Sequence, residues 1–188
     1  MYDERLKQNL PRVEERIASA LARAGRSDAV RIVAVTKTHP PEAAQAAWRA
    51  GLRDVAENRV QELEQKRAAL GDGEGPAWHL IGHLQRNKVR KAIPLFDLIH
   101  SVDSLRLAQE LSAEAVRAGV EVRALVQVNV SGEESKGGLD AARAVDGIAA
   151  VAALPGIRCE GLMTMAPLTD DEALVRATFA DTRRVLER

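Results

Sequence analysis

The chain has few aromatic residues, a single cysteine, no net charge and no long apolar run. Aromatic residues make up 3% of its 188 residues, which argues against the stacking platforms that bind single-stranded nucleic acids. Lysine plus arginine and aspartate plus glutamate both number 27, so broad binding of nucleic acid or of an anionic membrane is not expected. Cys159 has no second cysteine with which to form an internal disulfide, and a lone buried thiol fits a reducing cytoplasm. No apolar run reaches transmembrane length, and residues 1–5 are too polar for a secretory signal, so we expect a cytoplasmic protein.

Strand-like and helix-like segments alternate along almost the whole chain. After an amphipathic helix over 3–25, strand signals occur near 31–37, 54–58, 77–82, 97–101, 122–130 and 157–163. Helix signals follow them at 41–50, 59–70, 85–92, 104–118, 139–153 and from 170 onward. Repeated strand–helix units predict a parallel sheet covered by helices. Six units suit an open doubly wound sheet or six-eighths of a (β/α)₈ barrel, which usually has about 250 residues.

The domain organisation follows from what separates these units. No sequence repeat, low-complexity tract or linker marks a second domain, so we expect a single domain over 1–188. The last helical pattern, over 172–188, reaches the end of the chain without a capping residue. This pattern favours a barrel that is truncated after about six units.

Lys37 is the most informative single residue. It closes the apolar run 31–37, at the carboxyl end of a strand, where α/β folds place their ligands. A pocket that disfavours charge would lower the pKa of its amine from about 10.4 and leave the amine neutral and nucleophilic. Such an amine forms a Schiff base with an aldehyde, as in pyridoxal phosphate (PLP) proteins. Lysine is common and mostly exposed, so this strand by itself favours a solvated lysine.

Other polar residues and a glycine stand at predicted strand ends. Asn58 could donate its amide to a ligand oxygen, although the residue alone favours an N-cap for the helix at 59–70. Gly82 would permit a ligand to approach the backbone closely. His79 and His83 have the i,i+4 spacing of a conceivable zinc pair, but no third ligand of similar quality accompanies them. We therefore expect no metal site.

The remaining motifs favour ordinary structural roles. The basic run 85–91 indicates a solvated helix face, with an RNA or phosphate-bearing partner as the alternative. The loop 131–138 contains several glycines and matches neither a Walker loop nor a dinucleotide fingerprint, so we expect Lys136 in this loop to be simply exposed. Met163 and Met165 end the sixth strand, and filling of the core is the default role for methionine.

Six motifs in one order give the chain a specific resemblance. They are AVTKT at 34–38, EN at 57–58 with VQE at 60–62, WHLIG at 78–82 with LQ and NK after it, HSVD at 100–103, QVNVS at 127–131, and GLMTM at 161–165. On these motifs the chain resembles, from about residue 6 onward, the pyridoxal phosphate homeostasis protein family, the small PLP-binding relatives of alanine racemase. The resemblance implies an alanine-racemase-like (β/α)₈ barrel that holds PLP as a Schiff base on Lys37. It also implies that Asn58 and the region of Met163 lie near the cofactor.

The function implied by this resemblance is non-catalytic. Family members are taken to store, buffer or deliver PLP and to keep vitamin B6 and amino acids in balance. The expected partners are PLP and PLP-dependent apo-enzymes, and the expected state is a monomer. A PLP-dependent racemase or decarboxylase is the alternative, and a binding module that uses the basic run is a third hypothesis.

Two departures from the family pattern qualify the resemblance. Val55 and Ala56 stand where the family usually has Phe-Gly. The family's phosphate-gripping segments, a Ser-Met-Gly-Met-Ser run and a later Arg-x-Gly-Thr segment, have no counterpart in the chain. Helix N-termini are the usual anchors for phosphate, so the resemblance without these segments predicts a cofactor that is reversibly and weakly held.

Overall fold

The computed structural model describes residues 1–71, 73–133 and 137–188. The strands in these ranges are β1 (Val33–Val35), β2 (Asp54–Glu57), β3 (Ala77–Leu80), β4 (Leu98–Val102), β5 (Val122–Asn129), β6 (Leu139–Asp140) and β7 (Ile157–Met163). The helices are α1 (Tyr2–Arg23), α2 (Pro41–Arg49), α3 (Val60–Leu70), α4 (Val89–Ala92), α5 (Leu105–Ala118), α6 (Ala144–Ala152) and α7 (Glu172–Leu186). Among the described helices, none combines the length and apolar character needed to cross a membrane.

The chain forms two compact units. The first unit comprises Met1–Glu57 and Gln61–Trp78, and the second comprises Asn58–Val60 and His79–Arg188. In the first unit β1 pairs in parallel with β2, so that Val33 lies opposite Asp54 and Val35 opposite Ala56. This pairing places the carboxyl ends of β1 and β2 side by side.

Small apolar residues build the core beside these two strands. The buried face of α2 consists of alanines, Ala43, Ala44, Ala46 and Ala47, which allow a helix to pack closely. Pro41 begins this helix at a position where its missing N–H costs nothing, and Gly51, with φ of 90°, follows the helix in a conformation that glycine adopts readily.

The second unit is a parallel sheet with helices packed against it. β4 pairs in parallel with both β3 and β5, and β5 pairs in parallel with β7 along almost its whole length. Branched residues of β4 and β5, including Ile99, Val102 and Val126, are buried in the core. Ser104 caps α5 by accepting a hydrogen bond from the Leu107 N–H.

Three elements differ from the sequence expectation. β1 covers only Val33–Val35 of the predicted 31–37, because the chain turns after Thr36. The helix predicted over 139–153 begins at Ala144, since Leu139–Asp140 instead pairs with the end of β5 and Asp140 caps a 3-10 turn. The helix predicted at 85–92 is a 3-10 turn, Arg86–Lys88, followed by the short α4.

Candidate functional site

Lys37 lies in a tight turn directly after β1. The His39 N–H donates to the Thr36 carbonyl over 3.1 Å, which closes a turn that has Lys37 and Thr38 as its central residues. Lys37 is exposed, in agreement with the solvated lysine that the strand by itself favours. The physical reason is that sheet pairing stops beside Val35 and Thr36, which leaves the turn outside the packed core. Within the described ranges, the Lys37 amine takes part in no hydrogen bond or ion pair.

Thr38 gives this turn an unusual backbone. Its φ is 64°, and it is the one residue other than glycine with a positive φ in the described part of the chain. A β-branched side chain is disfavoured in this region because Cβ crowds the neighbouring carbonyl. Such strain persists only where surrounding contacts hold it, and it is often found at functional sites. The backbone is therefore strained one residue after Lys37.

Thr36, on the other side of Lys37, is held at each of its polar groups. Its N–H donates to the Ala56 carbonyl over 3.0 Å, and its hydroxyl donates to Oε1 of Glu57 over 2.5 Å. Its carbonyl accepts from Nζ of Lys66 over 2.6 Å as well as from the His39 N–H. Thr36 is buried, so water competes little for these groups.

Glu57 and Lys66 form a buried ion pair beneath Thr36. The side chains are 0% and 5% exposed, respectively, and Nζ of Lys66 contacts Oε1 of Glu57. Burial raises the pKa of the Glu57 carboxyl above its usual value, although Lys66 and Thr36 oppose the rise by stabilising the carboxylate. The neighbouring carboxyl of Glu62 adds to the rise. Oε2 of Glu57 is buried without a hydrogen-bond partner among the described residues.

Sequence reasoning overlooked Thr36 and Lys66 as parts of this arrangement. Lys66 follows Glu62 at i,i+4 spacing, which is typical of an exposed helical ion pair. The usable signal was its position three residues after Leu63, which itself follows Val60 by three, because that spacing continues the buried stripe of α3.

Gly82 and Asn58 are brought together in the second unit. A Cβ at Gly82 would lie 2.2 Å from the carbonyl oxygen of Asn58. Gly82 therefore makes room for the backbone of Asn58, whereas the sequence predicted that it would make room for a ligand. The predicted N-cap role of Asn58 is wrong in position, because α3 begins at Val60 and Arg59 directly precedes it. Asn58 is half-buried.

The two predicted zinc-pair histidines have different partners. Nδ1 of His79 lies 2.9 Å from Nε2 of His100, and His79 is buried. Nδ1 of His83 lies 2.8 Å from Oδ2 of Asp103, and the His83 side chain is 70% exposed. No group of three or more His, Cys, Asp or Glu residues in the described ranges is arranged to hold a metal ion.

The methionines after the sixth predicted strand differ in burial. Met163 ends β7, where it is half-buried and in register with Gln127 of β5. Met165 is 43% exposed, so its predicted place in the core is wrong, because β7 has ended two residues earlier. Cys159 lies in β7 as predicted but is half-buried.

The other predicted motifs lie on the surface or outside the described residues. Arg86, Arg90 and Lys91 of the basic run are exposed, in agreement with a solvated face. Lys136 lies outside the described residues, while Gln127 at the end of β5 donates from Nε2 to the Gly137 carbonyl over 2.7 Å.

Comparison with known proteins bears on both the fold and the family. Residues 8–188 match the family described as alanine racemase, N-terminal domain, which confirms the predicted α/β fold class. The chain is 41% identical to the pyridoxal phosphate homeostasis protein of Pseudomonas aeruginosa over 183 residues, which are 96% of this chain and 79% of that protein. It is 37% identical to the protein of the same name from Aquifex aeolicus over 179 residues, 95% of this chain and 78% of that protein.

A solved structure agrees with these relatives. PipY of Synechococcus elongatus, in a structure with PLP bound, superimposes with a TM-score of 0.78 at 39% identity. The alignment covers 92% of this chain and 79% of PipY. The profile match and the identities together confirm the resemblance drawn from the six motifs. The chain belongs to the pyridoxal phosphate homeostasis protein family, whose members carry the alanine racemase N-terminal domain fold.

Proposed function

We propose that this chain binds PLP through Lys37 and takes part in the homeostasis of vitamin B6 and amino acids, without catalysing a reaction of its own. One contrast between two lysines carries the proposal. Lys66 is buried and engaged by Glu57 and Thr36, whereas Lys37 is exposed and its amine is free among the described residues. The names of the curated relatives and the PLP-bound structure of PipY support the same cofactor.

The chemistry of the Lys37 turn fits this cofactor. PLP carries an aldehyde that condenses with a lysine amine, which releases water and forms a Schiff base. That condensation requires an amine that solvent and cofactor reach, and the exposed Lys37 meets this requirement. Asn58, Met163 and Gly82 are proposed as further cofactor-binding residues, with Gly82 acting through the backbone of Asn58 that packs against it.

Covalent trapping tests the assignment of Lys37. The protein is mixed with PLP, scanned for imine absorbance, reduced with borohydride and digested for peptide mapping. We expect the reduced adduct on Lys37, and its loss in Lys37→Ala. Lys91→Ala is the matched control, because Lys91 is also exposed and lies outside the site. An adduct that maps to another lysine in the wild-type protein, or that persists in Lys37→Ala, contradicts the assignment.

The absence of catalysis is also a proposal. A PLP-dependent racemase needs acid and base groups on both faces of the substrate α-carbon, and Lys37 is the one such group that we assign. Exchange of the alanine α-proton, followed by NMR in the presence of PLP, separates the alternatives. A carrier gives exchange no faster than free PLP, whereas faster exchange that disappears in Lys37→Ala establishes an enzyme.

The partners follow from a carrier role. We propose that the chain is a cytoplasmic monomer that releases PLP to PLP-dependent apo-enzymes. Sedimentation of the purified protein tests the monomer. Reactivation of an apo-enzyme, compared with reactivation by the same concentration of free PLP, tests the transfer. Reactivation no better than that given by free PLP contradicts delivery.

A further inference from the structure

The turn that carries Lys37 is strained at one position and strongly held at another. Thr38 has a φ of 64°, which a threonine adopts only when other contacts compensate. Two residues earlier, Thr36 uses its N–H, its hydroxyl and its carbonyl in hydrogen bonds. Because the turn is closed through the Thr36 carbonyl, the contacts of that carbonyl control the direction in which Lys37 leaves the strand.

Lys66 is the side chain that reaches this carbonyl. Its Nζ donates to the Thr36 oxygen over 2.6 Å and lies 3.4 Å from the Thr36 hydroxyl. Oε1 of Glu57 contacts the same Nζ and also accepts from the Thr36 hydroxyl. A single carboxylate oxygen therefore orients both the lysine and the threonine.

Stability by itself gives no reason for this ion pair. Two well-packed apolar side chains at buried positions are often as stabilising as an ion pair, because burial of both charges carries a large desolvation cost. Lys66 also continues the apolar stripe of α3 defined by Val60 and Leu63. A charged residue at this place makes one contribution that an apolar residue lacks, namely a directed bond to the Thr36 carbonyl.

We propose that Lys66, oriented by Glu57, is a positioning residue that holds the strained Thr36–Thr38 backbone and so presents the Lys37 amine in one direction. Its consequence for cofactor capture rests on the proposed function of Lys37. Its consequence for the turn does not, because the hydrogen bond between His39 and Thr36 involves protein atoms alone.

The test requires a variant that removes the donor without leaving an unpaired buried charge. Glu57→Gln/Lys66→Met removes both charges together, and it keeps an acceptor for the Thr36 hydroxyl at position 57. Glu57→Gln/Lys66→Leu is a second variant, which removes the same donor with a side chain of another shape. Lys66→Arg retains a donor and tests rescue, and Lys91→Met is the control for loss of an exposed lysine.

Amide hydrogen exchange of His39, measured in the cofactor-free protein, reports directly on the hydrogen bond that closes the turn. We expect exchange about tenfold faster or more in Glu57→Gln/Lys66→Met, with smaller change in Lys66→Arg and none in Lys91→Met. Protection of His39 that is unchanged in the double variant overturns the proposal. If that variant does not fold, as judged by circular dichroism, Glu57→Gln/Lys66→Leu decides by the same criterion.

The rate of PLP capture measures the consequence of the turn for the Lys37 amine. We expect imine formation with PLP to be about tenfold slower in the double variant, and the induced circular dichroism of the bound cofactor to weaken, since misplaced reacting groups lose rate steeply. A variant that has lost the protection of the His39 amide, but still forms the imine at the wild-type rate and shows wild-type dichroism of the cofactor, overturns the claim that the turn orients the Lys37 amine. If wild-type protein captures no PLP on Lys37, the proposed function fails, while the exchange of His39 still decides the role of Lys66.

Discussion

Nζ of Lys66 donates to the main-chain carbonyl of Thr36 over 2.6 Å, across 30 positions of sequence and in a buried environment. Thr36 directly precedes Lys37, so this bond links the middle of α3 to the turn that carries the candidate cofactor lysine. The first unit thus contains two lysines with opposite conditions. One, Lys66, is buried and contacts three oxygen atoms, and the other, Lys37, is exposed and its amine has no partner in the described ranges.

The Glu57–Lys66 pair is expected to be strongly coupled. Lys66→Met leaves the buried carboxyl of Glu57 without its cation, and we expect the free energy of unfolding to fall by about 3 kcal/mol at neutral pH. Glu57→Gln/Lys66→Met removes both charges, and we expect it to unfold within about 1 kcal/mol of the wild type. Urea denaturation of the wild type, both single variants and the double variant measures the coupling.

An exposed pair provides the comparison for this cycle. Glu172 and Arg176 are at i,i+4 positions on α7 with side chains about three-quarters exposed, and we expect Arg176→Met to change stability by at most about 0.5 kcal/mol. Additive effects at Glu57 and Lys66, as at two independent surface sites, would contradict a functional ion pair in the core.

Stability should depend on pH through Glu57. Its carboxyl has a pKa raised above the ordinary 4.5, chiefly by burial, so the folded protein binds this proton more tightly than the unfolded chain does. The stability that protonated Glu57 contributes is therefore fully present below pH 4.5, and it is lost as the pH rises through the higher pKa of Glu57 in the folded protein. Relative to Glu57→Gln/Lys66→Met, the wild type should lose stability as the pH is raised across this window.

Urea denaturation at a series of pH values measures the difference between the two proteins. The double variant lacks both ionisable groups of the pair, so titrations elsewhere in the chain cancel in the comparison. Parallel stability profiles for the two proteins would show that Glu57 titrates alike in the folded and unfolded states, contrary to expectation.

Periodicity in the sequence predicted the regular elements well. β7 covers Ile157–Met163 as predicted, and β5 ends one residue before its predicted limit, because runs of branched apolar residues bounded by turns are unambiguous. The segment at 139–143 was predicted as helix, but pairing with the end of β5 gave it a strand and a 3-10 turn. That pairing is a tertiary contact, which no local pattern encodes.

The site was predicted at the level of motifs and not at the level of its support. Lys37 was chosen as the candidate because it ends a predicted strand and belongs to a family motif. The hydrogen bond from Lys66 to the Thr36 carbonyl was missed because Lys66 lies 30 positions away in the sequence. Lys66 also has the spacing of a surface ion pair with Glu62. The positive φ of Thr38 was missed because a β-branched residue is among the least expected there.

Relief of the strain at Thr38 should stabilise the protein. Glycine adopts a φ of 64° without a steric penalty, and we expect Thr38→Gly to raise the free energy of unfolding by on the order of 1 kcal/mol, net of the entropy that glycine adds to the unfolded chain. Ser27→Gly is the control, because Ser27 is exposed and has no positive φ. The free energy of unfolding of Ser27→Gly should fall by up to about 1 kcal/mol.

The same substitution should loosen the presentation of Lys37. A glycine in the turn has more accessible backbone conformations, so we expect slower capture of PLP by Thr38→Gly despite its greater stability. Stability measured in urea and capture followed by imine absorbance would then move in opposite directions. A Thr38→Gly variant that is less stable than the wild type would contradict the assignment of strain to this residue.

The packing of Gly82 against Asn58 should tolerate no side chain. Because a Cβ at Gly82 would lie 2.2 Å from the Asn58 carbonyl oxygen, Gly82→Ala forces backbone to move. We expect a loss of about 2–3 kcal/mol in the free energy of unfolding, as for overpacked cores. Gly73→Ala is the matched control, since a Cβ there meets no atom within 4 Å and its φ is not positive, so its stability should be unchanged or slightly increased. A Gly82→Ala variant as stable as Gly73→Ala would mean that the chain relaxes around the new methyl group, and Asn58 would then owe its position to other contacts.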